Sequence, residues 1–315
     1  LVQRVFGSTQ RPIILVDWSE LSWDGKFQLL RAAVPIGGRA LSIYEEVHPR
    51  TKLSNAKVQR QFLQKLKSLL CDCCRPIMVT DAGFRAPWFK AVEKMGWDWI
   101  GRVRNRTLFR WPNAQSWLPC KALYGKAKYR PRYLGVVSLT CSNPLSCHMY
   151  LLKKRKRNRV KKTIHGKRSR AQSSLKVAAR QSEPWLLASS LQTTPEKVTQ
   201  IYRCRMQIEE NFRDMKSIRW GFSLRHTRTR SARRLAVLVL IGTLTHLAVW
   251  LLGKAGQRIN LHHKFQANTV RDSQVLSIFF LGCQMLNRRK IPISYSDIRQ
   301  SHLELNAIVE LGVAA

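Results

Sequence analysis

The order of apolar and polar positions divides the amino-terminal third of the chain into short elements. Pro12–Asp17, Phe27–Val34 and Ala40–Val47 are strand-like runs, and the Gly37-Gly38 pair predicts a hairpin turn between the second and third. Asn55–Leu70 carries apolar residues at 58, 62, 63, 66, 69 and 70, the spacing of an amphipathic helix. Pro76–Asp81 is again short, continuously apolar and strand-like; a helix over Pro87–Met95 and a strand over Trp97–Val103 follow. Three strands, a helix, a strand, a helix and a strand predict an α/β fold with a ribonuclease-H-like order and a mixed sheet flanked by helices.

From Asn105 to Glu183 the pattern changes to short aromatic-rich runs, with strands expected over Tyr129–Thr140 and His148–Lys153. Asn158–Ser174 is too polar and charged to fold alone. We read residues 105–183 as a basic, β-rich insertion. It divides a catalytic core whose first part is 1–104 and whose remainder, with the carboxyl-terminal helices, is 184–315. Pro184–Ser189 returns to a core strand, and a helix starts near Pro195. Leu235–Leu252 is apolar all round and barely long enough to span a bilayer; a buried core helix is the expectation.

Candidate chemistry sits at the ends of these elements. Asp17 and Asp81 each end a buried-type strand, the edge at which ligands collect in open α/β sheets. On one helix, Tyr202, Arg205, Glu209 and Lys216 are spaced by three, four and seven residues; at about 100° per residue they fall within an arc of roughly 60°. Arg213 joins that face. A charged solvated face and two turn-forming aspartates explain these residues equally simply one at a time. Taken together, three carboxylates can hold two divalent cations, and the surrounding cations suit phosphate.

The charge narrows the partner. The formal net charge is +38, and residues 99–182 hold 22 Lys or Arg and no Asp or Glu. Such a balance implies a polyanion, and nucleic acid above all. The eight cysteines fit no zinc spacing: Cys71-Asp72-Cys73-Cys74 has no second pair, and Cys141, Cys147 and His148 match no standard set. We read the thiols as incidental and the compartment as reducing. The amino terminus shows no charged region followed by an apolar stretch, so no signal peptide is expected.

The helix reads Y-(2)-R-(3)-E-(6)-K without a gap, and with LVDWSE, VTDAGFRAPWFKAVEKMGW, EPWLLASSL, RMQIEENFRDMKS, GFSLRH and KFQANTVR it resembles the bacterial DDE transposases of the insertion sequence four family, the insertion sequence ten type in particular. The resemblance runs from about Pro12 to about Arg299. It implies a cytoplasmic, nucleoid-associated enzyme of a transposable element, working as a homodimer on double-stranded DNA, both transposon ends and target, and not on a membrane. It implies catalytic and metal-binding roles for Asp17, Asp81 and Glu209 with two Mg²⁺ (Mn²⁺ as a substitute), and phosphate contacts from Tyr202, Arg205, Arg213 and Lys216. It also implies a flipped base stacked on Trp185, and cut-and-paste transposition through hairpin formation and strand transfer. Relatives carry an all-helical, end-recognising amino-terminal domain, and the expectation from the resemblance is that this domain is missing before Leu1. A non-catalytic DNA-binding fragment and a general metal-dependent DNA nuclease of the same fold are the competing expectations.

Overall fold

The computed structural model describes residues 9–154, 171, 172, 174, 183–218, 222–267, 269, 270, 273–288 and 292–314, the side chains of 225 and 310–314 excepted. Most of the polar stretch expected at Asn158–Ser174 lies outside the described residues. The chain forms two compact units: residues 1–79 with 203–315, and residues 80–202.

The first unit begins with β1 (Ile13–Glu20), β2 (Phe27–Pro35) and β3 (Ala40–Pro49), paired antiparallel in the order β3-β2-β1. Asp17 does not end its strand, as the apolar run suggested. Pairing continues through Trp18↔Leu30 and Ser19↔Leu29 to Glu20↔Gln28, because β2 supplies partners beyond the apolar stretch. Helix α1 (Ala56–Leu69) is capped by Asn55, whose side chain accepts from the amides of Lys57 and Val58, and it buries Val58, Phe62, Leu63 and Leu66. The chain then enters β4 (Ile77–Thr80) beside β1. The bonds Arg75 N–Gln10 O (2.6 Å) and Ile77 N–Pro12 O (2.9 Å) keep one constant offset, as parallel neighbours do, so the sheet is mixed.

The second unit holds α2 (Ala86–Glu93) and a run of strands in the order β5-β10-β9-β8-β6-β7: β5 (Asp98–Val103), β6 (Leu108–Arg110), β7 (Leu118–Pro119), β8 (Arg132–Leu139), β9 (Leu145–Leu152) and β10 (Trp185–Ser189). Among the described residues of 105–183, β6 to β9 form antiparallel pairs. Helix α3 (Pro195–Arg203) closes this unit.

Back in the first unit, α4 (Met206–Lys216) is separate from α3, which corrects the single helix expected from the spacing. At Cys204-Arg205 the bonding tightens to Gln207 N–Cys204 O (2.9 Å) and Ile208 N–Arg205 O (3.3 Å), a three-residue step that interrupts the four-residue ladder. A buried polar group seats α4 on the sheet. Arg31, on β2 and fully buried, donates to Asn211 of α4 and to Glu45 of β3 (3.3 Å), and its guanidinium lies 4.8 Å from the Phe212 ring. Burial pulls the Arg31 guanidinium below its usual range and Glu45 pushes it back up. Arg39 holds Asp214 at 2.5 Å, and His246, stacked on Phe279 at 4.5 Å, faces the same carboxylate at 3.8 Å.

Helix α5 (Ala232–Arg258), followed by α6 (Ile278–Leu286) and α7 (Tyr295–Ala314), is capped by Ser231 and packs on β3, α6 and α7. It meets α6 so closely that a Cβ on Gly253 would lie 1.9 Å from the Ile278 carbonyl oxygen. By length and composition α5 could cross a membrane, yet it is neither a span lying free nor the fully buried helix expected. Leu235, Val239, His246 and Trp250 are buried, while Val237, Leu240, Ile241 and Leu244 form a half-exposed stripe.

Candidate active site

In the first unit, strand β1 and the start of α4 bring two carboxylates onto one cation. Asp17 uses Oδ1 to accept from the Trp18 amide (2.8 Å) and turns Oδ2 to the Arg205 guanidinium (3.4 Å), 188 residues away in sequence. Arg205 stands at the amino-terminal cap position of α4, and its other terminal nitrogen binds Glu209, one turn later. Glu209 lies in the first turn, where the helix dipole favours an acid. The Asp17 side chain is 13% exposed and that of Glu209 42%, so the pair opens to solvent on the glutamate side.

Lys216, at the other end of α4, donates to Ser19 Oγ on β1 at 2.6 Å and lies 5.6 Å from the Phe212 ring centre. Arg213 turns away from the expected face: its side chain is 70% exposed and pairs with Glu210 at 2.6 Å. Arg205 and Lys216 thus reach β1, on which Asp17 lies, Glu209 is tied to it through Arg205, and Arg213 points into solvent.

The second unit carries the remaining expected residues. Asp81, immediately past β4, accepts from the Gly83 amide at 2.7 Å. A Cβ at Gly83 would come within 2.9 Å of the same oxygen, so a larger residue there would push the Asp81 carboxylate from this position. Asp81 opens a cleft of about 1030 Å³ whose lining includes Arg85, Arg102, Arg104, Arg106 and Thr107. Arg104 forms an ion pair with Glu183, and Arg102 lies 3.9 Å from the same carboxylate; burial draws the Arg102 guanidinium below its usual range. Arg85 and Arg106 are exposed.

The cleft arginines were not singled out from sequence, although a signal was there. Arg102, Arg104 and Arg106 recur at every second position where β5 ends and the chain turns at Asn105, and all three line the cleft. Trp185, which begins β10, is 6% exposed. Its ring meets that of Tyr202 edge-on at 4.9 Å, and Lys154 Nζ lies 4.3 Å from its centre. Tyr202 is itself buried, at 2% exposure. In this conformation neither ring is presented to solvent.

Oxygen donors from carboxylates suit a hard divalent cation, and the Asp17–Glu209 pair already converges on a single positive charge. The side chains present in the first unit fit such an ion chemically. Among the described residues, no group of three or more His, Cys, Asp or Glu side chains is arranged to hold a metal. Comparison with curated proteins gave no match. The family described as the transposase DDE domain matches residues 8–245, which take in Asp17, Asp81, Glu209 and all ten strands. An α/β chain with a mixed sheet flanked by helices, strongly basic and matched over most of its length, this protein belongs to the DDE transposase family and has its ribonuclease-H-like core.

Proposed function

We propose that this transposase performs cut-and-paste transposition, with Asp17, Asp81 and Glu209 as its catalytic carboxylates. The observation that carries the reading is the shared guanidinium: Arg205 draws together two acids from opposite parts of the chain, where a structural need for either is not evident. The three carboxylates would hold Mg²⁺, two ions per site, which when bound lower the pKa of water or of a 3′-hydroxyl and stabilise the departing oxygen.

The chain's own residues position the DNA. Arg205 orients Asp17 and Glu209 and limits the repulsion between them. Lys216, held by Ser19, and the exposed Arg213 offer charge to phosphates; Tyr202 adds a phenol if its ring leaves the Trp185 contact. Arg85 and Arg106, on the cleft that Asp81 opens, offer further phosphate contacts. Trp185 would stack the extruded base at the hairpin step. Double-stranded transposon ends and target DNA are the substrates, and a homodimer would hold the two ends.

The test is incubation of the purified protein with nicked transposon-end DNA and Mg²⁺, resolving nicks and hairpins on a denaturing gel. Asp17→Asn, Asp81→Asn and Glu209→Gln should each abolish cleavage while DNA retention on a filter stays near the wild-type level. Cleavage undiminished in any one of the three would remove that carboxylate from the site. Strand breaks without hairpins in the wild type would leave a nuclease and overturn the cut-and-paste assignment.

A further inference from the structure

The turn that carries the chain from α1 into β4 contains three thiols in four residues, and none takes part in the chemistry above. Cys74 N donates to Cys71 O at 2.9 Å, which closes a tight turn over Asp72 and Cys73. Within it the Sγ atoms of Cys71 and Cys73 are 2.8 Å apart, and both residues are exposed. Two positions apart in a turn, their Cα atoms are separated by roughly 5–6 Å, inside the window a disulfide spans. Cys74 differs: it is buried, at 5% exposure, and its Sγ lies 4.0 Å from the Thr9 carbonyl oxygen.

We propose that Cys71 and Cys73 are a modification site, a thiol pair that closes to a reversible disulfide by exchange with a low-molecular-weight disulfide. One cysteine thiolate attacks a sulfur of the small disulfide; that S–S bond breaks and the first small thiol leaves. The second cysteine's thiolate then attacks the protein sulfur of the mixed disulfide, forming the Cys71–Cys73 bond and releasing the second small thiol. Two protein thiols are oxidised, one small disulfide is reduced to two thiols, and the two protons lost by the cysteines end on those thiols. Burial, with the neighbouring thiols adding to it, pushes the Cys74 thiol up to about 12, so it stays protonated and outside the exchange. Exposed disulfides in small rings are readily reduced, which suits a reversible modification. The ring would brace the turn just before Arg75 and Ile77, whose amides tie the entry of β4 to Gln10 and Pro12.

The experiment treats the full chain with graded oxidised glutathione, quenches with acid, alkylates free thiols and maps peptides by mass. The wild type should lose two hydrogens, with Cys71 and Cys73 joined. Cys71→Ser and Cys73→Ser should each instead carry one glutathione on the remaining partner, and Cys74→Ser should still close the bond. Recovery of Cys71 and Cys73 as separate glutathione adducts, or as alkylated thiols where the single variants are fully modified, would overturn the proposal. So would a bond from either residue to Cys74.

Discussion

Glu45→Gln isolates the polar group that seats α4 on the sheet. Glu45 Oε2 faces the fully buried Arg31 guanidinium at 3.3 Å, and its Oε1 accepts from Thr243 Oγ1 on α5 at 2.6 Å. Gln keeps an acceptor for one of these donors but removes the charge that offsets Arg31. Breaking a buried pair from one side destabilises by about 3–5 kcal/mol, because the remaining charge is left without compensation. The retained amide oxygen puts this case near the lower end, about 3 kcal/mol, which at roughly 2–4 °C per kcal/mol lowers the melting temperature by ~6–12 °C. Differential scanning calorimetry at neutral pH measures the shift. The double variant Arg31→Met/Glu45→Leu removes both charges and should melt above Glu45→Gln, since an apolar pair of similar volume often replaces a buried ion pair without loss. A Glu45→Gln melting temperature within about 1 °C of wild type, or a double variant less stable than the single, would refute the idea that Arg31 depends on Glu45 for its burial.

Three further outcomes are expected. Arg205→Ala and Lys216→Ala should each reduce the slope of log binding constant against log salt by about 0.9 if each side chain takes one phosphate; an unchanged slope would mean that these side chains serve contacts within the protein, such as those to Asp17, Glu209 and Ser19, and not phosphate. Trp185→Ala empties a buried site and should lower stability by about 3–5 kcal/mol. A stacking role adds a hairpin-specific rate loss of roughly ten- to a hundredfold relative to nicking, and equal losses would make Trp185 a core residue alone. For Glu46, burial pushes the carboxyl up, but hydrogen bonds from His48, Tyr44 and Lys65 outweigh it and hold the group at about 2. A depressed carboxyl stabilises the fold above its unfolded value and loses that contribution as pH falls through the folded one. Glu46→Gln should therefore be less stable than wild type near neutrality, with the gap closing from about pH 4.5 down to about 2; a gap that is constant across acid titration contradicts this.

The first three strands were legible as short apolar runs split by a Gly-Gly turn, α1 by apolar residues that recur with the helical period, and Asn55 marks the helix start. Asp17, Asp81 and Glu209 stood out for a similar reason: an acid next to an apolar run, or on a helix with a fixed set of companions, is a local pattern. What escaped was set by distant partners. Arg31 interrupts an apolar strand, and its burial is made tolerable by Glu45 and by Asn211, 180 residues on. The break at Cys204-Arg205 contains neither Pro nor Gly, so nothing in the residue types announces that Tyr202 and Glu209 belong to separate helices. Arg213 has the angular position of the charged face, but Glu210, three residues earlier, holds it outward. For α5, an apolar pattern on all sides carries no period, and the half-exposed stripe at Val237–Leu244 had no counterpart in the spacing.

The first unit is assembled from the two ends of the chain, residues 1–79 and 203–315, and this arrangement sets a timetable for synthesis. When β1 leaves the ribosome, the helix that will bring Arg205 and Glu209 to Asp17 has not been translated. At typical elongation rates of about 5–20 residues per second, the intervening Thr80–Tyr202 segment delays it by roughly 6–25 s. Until then β1–β3 wait with the surface destined for α4 uncovered and Arg31 without Asn211. A nascent transposase cannot bring its acid pair together while still short, and a chain released early, or a frameshift before Arg203, yields a product that has Asp17 but lacks Arg205 and Glu209. The same long closure makes the unit a slow folder, whose yield should respond to chaperone supply more than to promoter strength.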